Sequence, residues 1–312
     1  MSIADLFQQL SDSSEPIKAT GLTQLSALNG EETREFAEHW PLLDPDRKQQ
    51  LLDLLIELAE DNVELNFDAV FLATLTDEDA DVRQLAIRGL WEYEERDLAG
   101  RLVEVLDHDP DTEVRAEAAL ALGKYVLLAE MGKLPERHTH MVESALQHVL
   151  DDKQEPEVVR ARALESAAVR SNASWVRQGI TEAYESDDHR LRISAIHAMG
   201  RSCDGRWLPL LFRELNSDDA EARYEATLAL GAIGDEEGVP RLEPLLLDED
   251  PEVRGAAIAS LGEIGGEQAR EVLLGVINDP DQTDDAREAA HDALSEIDFS
   301  EDPLGFRIQP DE

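Results

Sequence analysis

Several things are scarce in this chain of 312 residues, and each scarcity removes a class of protein. A single cysteine, Cys203, leaves no partner for an intramolecular disulfide and too few thiolates for a cysteine-based zinc site. No apolar run approaches the ~20 residues that span a membrane. The opening stretch, MSIADLFQQL, has no charged-then-apolar signal pattern. A soluble, cytoplasmic protein is expected. Positive charge is scarcer still: 28 Lys plus Arg face 70 Asp plus Glu, a formal net charge of −42. Most of such a surface repels a phosphate backbone or an anionic membrane, so neither general nucleic-acid binding nor membrane docking is expected. Only five of the basic residues are lysines, Lys18, Lys48, Lys124, Lys133 and Lys153. Acidity with little lysine suits a protein kept soluble at high salt, and a genome that favours arginine codons gives the same bias. Hydrophobic residues make up 42%, enough to bury a core, which excludes wholesale disorder.

What is present is a repeat. DEDADVRQLAIRGL from Asp77, DHDPDTEVRAEAALALG from Asp107, SDDAEARYEATLALGAIG from Ser217 and DEDPEVRGAAIASLGEIG from Asp248 align directly. Weaker copies surround Arg160, Arg192 and Arg287, and two degenerate ones place Lys18 and Lys48 in the arginine slot. The nine basic anchors, Lys18, Lys48, Arg83, Arg115, Arg160, Arg192, Arg223, Arg254 and Arg287, lie 30, 35, 32, 45, 32, 31, 31 and 33 residues apart. Each unit reads as two helices. GVPRLEPLLLD is one first helix, and the acidic turn Asp248–Glu252 starts the second, with Pro251 pre-setting φ. That second helix is expected to stop at Gly265-Gly266, which supply a left-handed cap. Counted from the anchor, position +3 is alanine in all seven arginine units and +7 is usually Leu or Met. Those offsets share one helical face, and a small residue at +3 permits close helix approach. No stretch alternates with period two, so the fold class is all-α: an α-solenoid of about nine stacked helix pairs.

The pattern D-x-x-V-R-x-x-A-x-x-x-L-G-x-I-G resembles the HEAT repeat, in the short form called the phycobilin-lyase HEAT-like repeat. The resemblance covers 77–297 well and 1–76 weakly. It implies divergent capping repeats over 1–76, a HEAT-like array over 77–297 with an insertion near 127–141, and a tail over 298–312. In the family, Asp and Arg of successive turns form an internal ladder. The resemblance carries that role to Arg83, Arg115, Arg223 and Arg254, with Asp79, Asp111, Asp219 and Asp250 among their partners. It implies architecture far more strongly than activity.

Signatures of chemistry were sought separately. No His-Glu dipeptide occurs, unlike the iron-binding pairs of HEAT-type deoxyhypusine hydroxylase, and the basic groove of HEAT-like DNA glycosylases does not suit this charge. Nothing in the residues marks a bilin site. His138, His140 and His148 offer nitrogens, but the rings of H-x-H on one helix point to different sides. The acidic runs at Asp77, Asp79, Asp81 and at Asp107, Asp109, Asp111 lack the glycine and glutamate of a calcium loop and recur at repeat turns. Cys203 has no paired base. No phosphate loop, nucleophile elbow or H-E-x-x-H motif is present. No catalytic, cofactor-binding or metal-binding residue is therefore assigned.

Charge is uneven along the chain. Residues 1–159 carry net −23 and residues 214–312 net −22, whereas residues 160–213 carry +3. That belt also holds Trp175, Tyr184, His189, His197 and Trp207. On the second helices, offsets +2, +5 and +9 should point to the concave side, which places Arg162, His197 and Arg201 there as a polar cluster for a partner. The expected function is a non-catalytic scaffold binding a protein or peptide on its concave face. Two other readings stay open: a tetrapyrrole (bilin) lyase-like enzyme or accessory subunit, and a small anion or phospholigand binder using the belt 160–213.

Overall fold

The acidic turns predict where helices begin, and the computed structural model, which describes residues 3–12 and 15–301, starts them there. Aspartates at anchor position −4 accept N–H groups of the first turn: Asp79 from Val82, Asp111 from Glu113 and Val114, Asp219 from Glu221 and Asp250 from Glu252. Such caps satisfy backbone donors that the helix itself leaves open. All regular elements among the described residues are helices, and the architecture is an α-solenoid. None of these helices is long and apolar enough to cross a membrane.

The chain divides into two compact units, Met1–Ser166 and Ala167–Glu312. In the first, the anchors Lys48, Arg83 and Arg115 sit on helices Pro45–Asp61, Ala80–Gly89 and Thr112–Ala121. The opening helix Ile3–Leu10 packs on Gly30–His39 through Phe7 and Phe36, whose ring centroids are 5.5 Å apart, and Phe36 stacks on Trp40. The 45-residue gap is filled by an added helix, Gly123–Glu130, which follows Thr112–Ala121 almost without a break, and by the long first helix Glu136–Asp151. In the second unit, His189–Arg201, Ala220–Ile233, Pro251–Ile264 and Asp284–Glu301 carry the remaining anchors from Arg192 onward. The expected first helix GVPRLEPLLLD is two pieces, helical over Val239–Leu242 and a tighter 3₁₀ turn over Glu243–Leu247. Pro244 has no N–H to continue the α pattern. The tail from residue 302 lies outside the described residues.

The core follows the repeat. The +3 alanines Ala86, Ala118, Ala163, Ala195, Ala226, Ala257 and Ala290 are all fully buried, and Leu90, Leu122, Met199, Leu230 and Leu261 at +7 lie beneath them. A second column, at +8, is glycine in Gly123, Gly200, Gly231 and Gly262. Each faces the small +6 residue of the next second helix. A Cβ on Gly200 would stand 2.6 Å from the Cα of Ala229, one on Gly262 3.1 Å from that of Ala293, and one on Gly231 2.9 Å from the Cβ of Ser260. Glycine is required there because the neighbouring backbone occupies the place of a side chain.

This packing corrects one expectation. Position +2 is not uniformly outward: Leu85, Ser194 and Ala256 are buried, Glu117 and Glu225 are half-buried, and Arg162 is exposed. It lies one turn before +6, on the flank pressed against the adjacent repeat. The outward row consists of +5 and +9, as at Arg88, Leu120, Ala259 and Glu263, all exposed.

Candidate functional site

The frame that positions any site is the arginine ladder. Arg83 donates from Nε to Asp109 Oδ2 and from Nη2 to Asp109 Oδ1, both at 2.8 Å, and from Nη1 to the carbonyls of Asp77 and Glu78. Arg223 repeats the fork on Asp248 at 2.8 Å twice, with Nη1 on the carbonyl of Ser217. Arg115 reaches Glu155 at 2.8 Å, and Lys48 reaches Asp77 at 2.8 Å. Asp77 also accepts the indole N–H of Trp40. Each of the three arginines thus holds the turn that precedes its own helix, and all four cations pair with an acid of the following turn.

The partners differ from those the resemblance implied. Asp79, Asp111, Asp219 and Asp250 are caps, each folding one oxygen onto its own helix. The rung aspartates Asp77, Asp109 and Asp248 stand two residues earlier, at −6, and Glu155 at −5; from −6 the side chain of Asp109 or Asp248 reaches back to the preceding anchor while accepting the N–H of residue −4. Arg254 donates to the carbonyls of Asp248 and Glu249. Hydrogen bonding to Arg223 outweighs the opposing cost of burial and holds the Asp248 carboxyl below its ordinary value. For Asp109, burial pushes up, but the Arg83 fork, the Asp111 N–H and the guanidinium charges win and lower it.

The three residues expected to form a polar cluster are each differently engaged. Arg162 is exposed and pairs with Glu165 on its own helix at 2.7 Å. His197 lies 3.2 Å from Glu225 of the next second helix. Arg201 is exposed at the end of its helix. Arg162 belongs to the first unit and the other two to the second. Elsewhere, His140 Nδ1 meets the Ser144 hydroxyl at 3.1 Å, and no group of three or more metal-ligating side chains converges among the described residues. Cys203 is exposed in a turn with φ of +47°, its thiol directed to the Ala232 carbonyl.

A different cluster was not anticipated from the sequence. On the second-helix face of the first unit, Ile56 and Glu60 of Pro45–Asp61, Ile87 and Arg88 of Ala80–Gly89, Trp91, Glu117, Leu120 and Ala121 of the next repeat, and Lys124 enclose a groove of about 410 Å³. Trp91 is 57% exposed and Leu120 42%. Arg88 pairs with Glu117 at 3.0 Å along one side. Lys124 donates to the Leu90 carbonyl at 2.6 Å, and desolvation lowers its pKa to about 8 against the opposing pull of Glu94 and Asp68. One signal was legible: Trp91 occupies the +8 slot that is glycine in four other repeats. The equivalent surface of the second unit is lined instead by Gly231, Gly262, Glu263, Glu296 and Phe299. There, burial and the charge of Glu296 raise the Glu263 carboxyl above its usual value.

Helix pairs locked by arginine–carboxylate rungs, with one open row of outward positions, define an α-solenoid of the class built around an extended interaction surface. More particularly, the chain belongs to the HEAT repeat family, which matches residues 68–168 and 208–295. No curated protein resembles it closely enough to count as a relative. Among solved structures it is similar to yeast importin-β (Kap95p), at 14% identity and a TM-score of 0.52 over 96% of this chain and 47% of that one. It is similar at 15% identity and a TM-score of 0.53 to Kap95p in a structure concerned with RanGDP, over 97% of this chain and 46% of that one. The chain therefore spans a little under half the length of Kap95p. The complex of CpcE and CpcF of phycocyanin lyase from Nostoc is also similar, at 16% identity and a TM-score of 0.49, over 74% of this chain and 94% of that one. These likenesses concern the fold.

Proposed function

We propose that the protein is a non-catalytic interaction module that holds a protein or peptide on its second-helix face, with the groove around Trp91 as the anchor point. The observation that carries this reading is the exposure of Trp91 and Leu120 beside Ile56 and Ile87 in a chain of net charge −42. A large aromatic and a leucine left in water within a ready-made concavity are what an interface anchor requires. HEAT-family membership supports it, since stacked repeats present such surfaces repeatedly.

Charge selects the occupant. Glu60 lines the groove, Asp53 and Glu57 continue its helix face one turn away, and Glu92 and Glu94 follow Trp91; all five are exposed. The bound segment is therefore one with an apolar or aromatic side chain flanked by basic residues. A photo-crosslinking residue at Leu120 should capture such a segment, and Trp91→Ala should reduce the adduct at least tenfold in a protein with unchanged circular dichroism. The same crosslinker at Leu247, a still more exposed leucine in the second unit, serves as control. Equal capture of the same partner from both positions, or an acidic captured segment, would defeat the assignment.

A further inference from the structure

We propose that the pocket around Arg192 is an oxyanion site, receiving a phosphate or carboxylate group from outside the chain where the Arg83 and Arg223 rungs hold an aspartate. The inference rests on the ladder and is independent of the groove around Trp91.

At the Arg83 and Arg223 rungs, an aspartate takes two guanidinium N–H groups with its two oxygens, and its Oδ1 also accepts the N–H two residues on, from Asp111 or Asp250 at 2.9 Å. At the Arg192 rung the corresponding position is Ser217. Its hydroxyl accepts the Asp219 N–H at 3.3 Å, so the turn is built in the same way, but the carboxylate is missing. Asp219 does not substitute for it. One of its oxygens caps Ala220–Ile233 and the other is held by His189 Nε2 at 2.6 Å. Arg192 is exposed, and no described residue accepts a hydrogen bond from its guanidinium or forms an ion pair with it.

The space left is a pocket of about 210 Å³, bounded by Arg192, Arg213, Tyr184, Glu214 and Ser217 over an apolar floor of Ile193, Ile196 and Ala222. Glu214 is already committed, because it accepts the Tyr184 hydroxyl proton and pairs with Arg213 at 3.3 Å, while Arg213 also donates to the Tyr184 oxygen. Its charge offsets that of Arg213, and Arg192 is left as the uncompensated cation. A planar guanidinium fork that no carboxylate of the pocket engages binds carboxylate or phosphate oxygens in pairs. Asp187 and Asp218, both exposed and the latter next in the chain to Ser217, disfavour long polyanions and leave a small group as the ligand.

The test is a titration of the full chain with sodium phosphate and with sodium acetate, each against sodium chloride at matched ionic strength, read at the Arg192 Nε–Hε resonance. A saturable shift with a dissociation constant on the order of 1–10 mM is expected, since single oxyanion contacts in water are weak. A response to phosphate alone or to acetate alone still supports the site and tells which group it takes. Ser217→Asp supplies the missing rung from within. It should abolish the saturable response while leaving the fold at least as heat-stable as wild type, and Arg192→Gln, followed at the backbone amides of Ser217 and Asp218, should lose the response seen there in wild type. A wild-type response no different from chloride, or a saturable response that survives in Ser217→Asp, would overturn the proposal.

Discussion

The outward row of second helices makes opposite surfaces in the two units. Around Trp91 in Met1–Ser166 it is apolar, edged by Arg88 and a lysine whose pKa has fallen to about 8. From Gly231 to Phe299 in Ala167–Glu312 it is glycine and glutamate, with Glu263 pushed toward its protonated form. Beneath both rows the frame is the same, with +3 alanines fully buried and a bidentate Arg–Asp rung in each. The lesson is that a repeat fixes its frame through buried and hydrogen-bonded positions, and varies its chemistry at the few positions that packing does not use.

The largest effect should come from breaking what the units share. Arg83→Ala and Arg223→Ala each strand a shielded aspartate, and in the second rung both side chains are only 8% exposed. Each variant should lose about 3–5 kcal/mol, the usual cost of removing one partner of a buried pair. Arg254→Ala, which loses hydrogen bonds to carbonyls, should cost about 1–2 kcal/mol. Chemical denaturation in parallel would measure all three. Equal losses at Arg83 and Arg254 would deny the carboxylate its role.

Next comes the +8 column, where the units part. Gly200→Ala forces a Cβ against the backbone of Ala229 and should cost about 2 kcal/mol, overpacking outweighing the gain in helix propensity. Trp91→Ala, at the same repeat position but largely in solvent, should change stability by less than about 1 kcal/mol. A reversal of that order in thermal melts would mean that Trp91 belongs to the core.

The smallest effect is electrostatic and opposite in sign between the units. The folded state lowers the pKa of Lys124 from 10.5 to about 8, so between those values the unfolded chain binds the extra proton. Stability should therefore gain from this group as pH rises from about 8 to 10.5, by at most about 1 kcal/mol at so partly exposed a site. Glu263 is raised instead, so its contribution is present below its ordinary value of 4.5 and fades as pH climbs through the folded pKa. Comparing each protein's pH profile with that of Lys124→Met or Glu263→Gln isolates the two contributions. Profiles that superimpose on wild type would show that neither group is desolvated.

How far the sequence carries the reader depends on whether a position repeats. The anchors, the capping turns, the buried alanines and the all-helical class recur every thirty-odd residues, and recurrence exposes them. Two errors show the limit. Aspartates at −6 and −4 look alike in the sequence, yet one is a rung and the other a cap, because only the longer reach back to the previous repeat satisfies a guanidinium. Position +2 looks outward on an isolated helix, yet Leu85, Ser194 and Ala256 are buried where a neighbouring helix lies against them, while Arg162 stays exposed. The groove was missed for the converse reason: its members come from Pro45–Asp61, Ala80–Gly89 and Thr112–Ala121, and share no motif.

By itself, then, the sequence determined the helix pairs, their number and their anchors, because local propensity, capping and apolar spacing act within some twenty residues of chain. The tertiary structure decided which acid answers which arginine, why four of the +8 positions are glycine, and where Trp91, Leu120 and Lys124 meet. It also decided that Arg192 faces a serine where Arg223 faces an aspartate. Those outcomes depend on the distance between one repeat and the next, which is set by side-chain volume at the interface and by no single stretch of sequence.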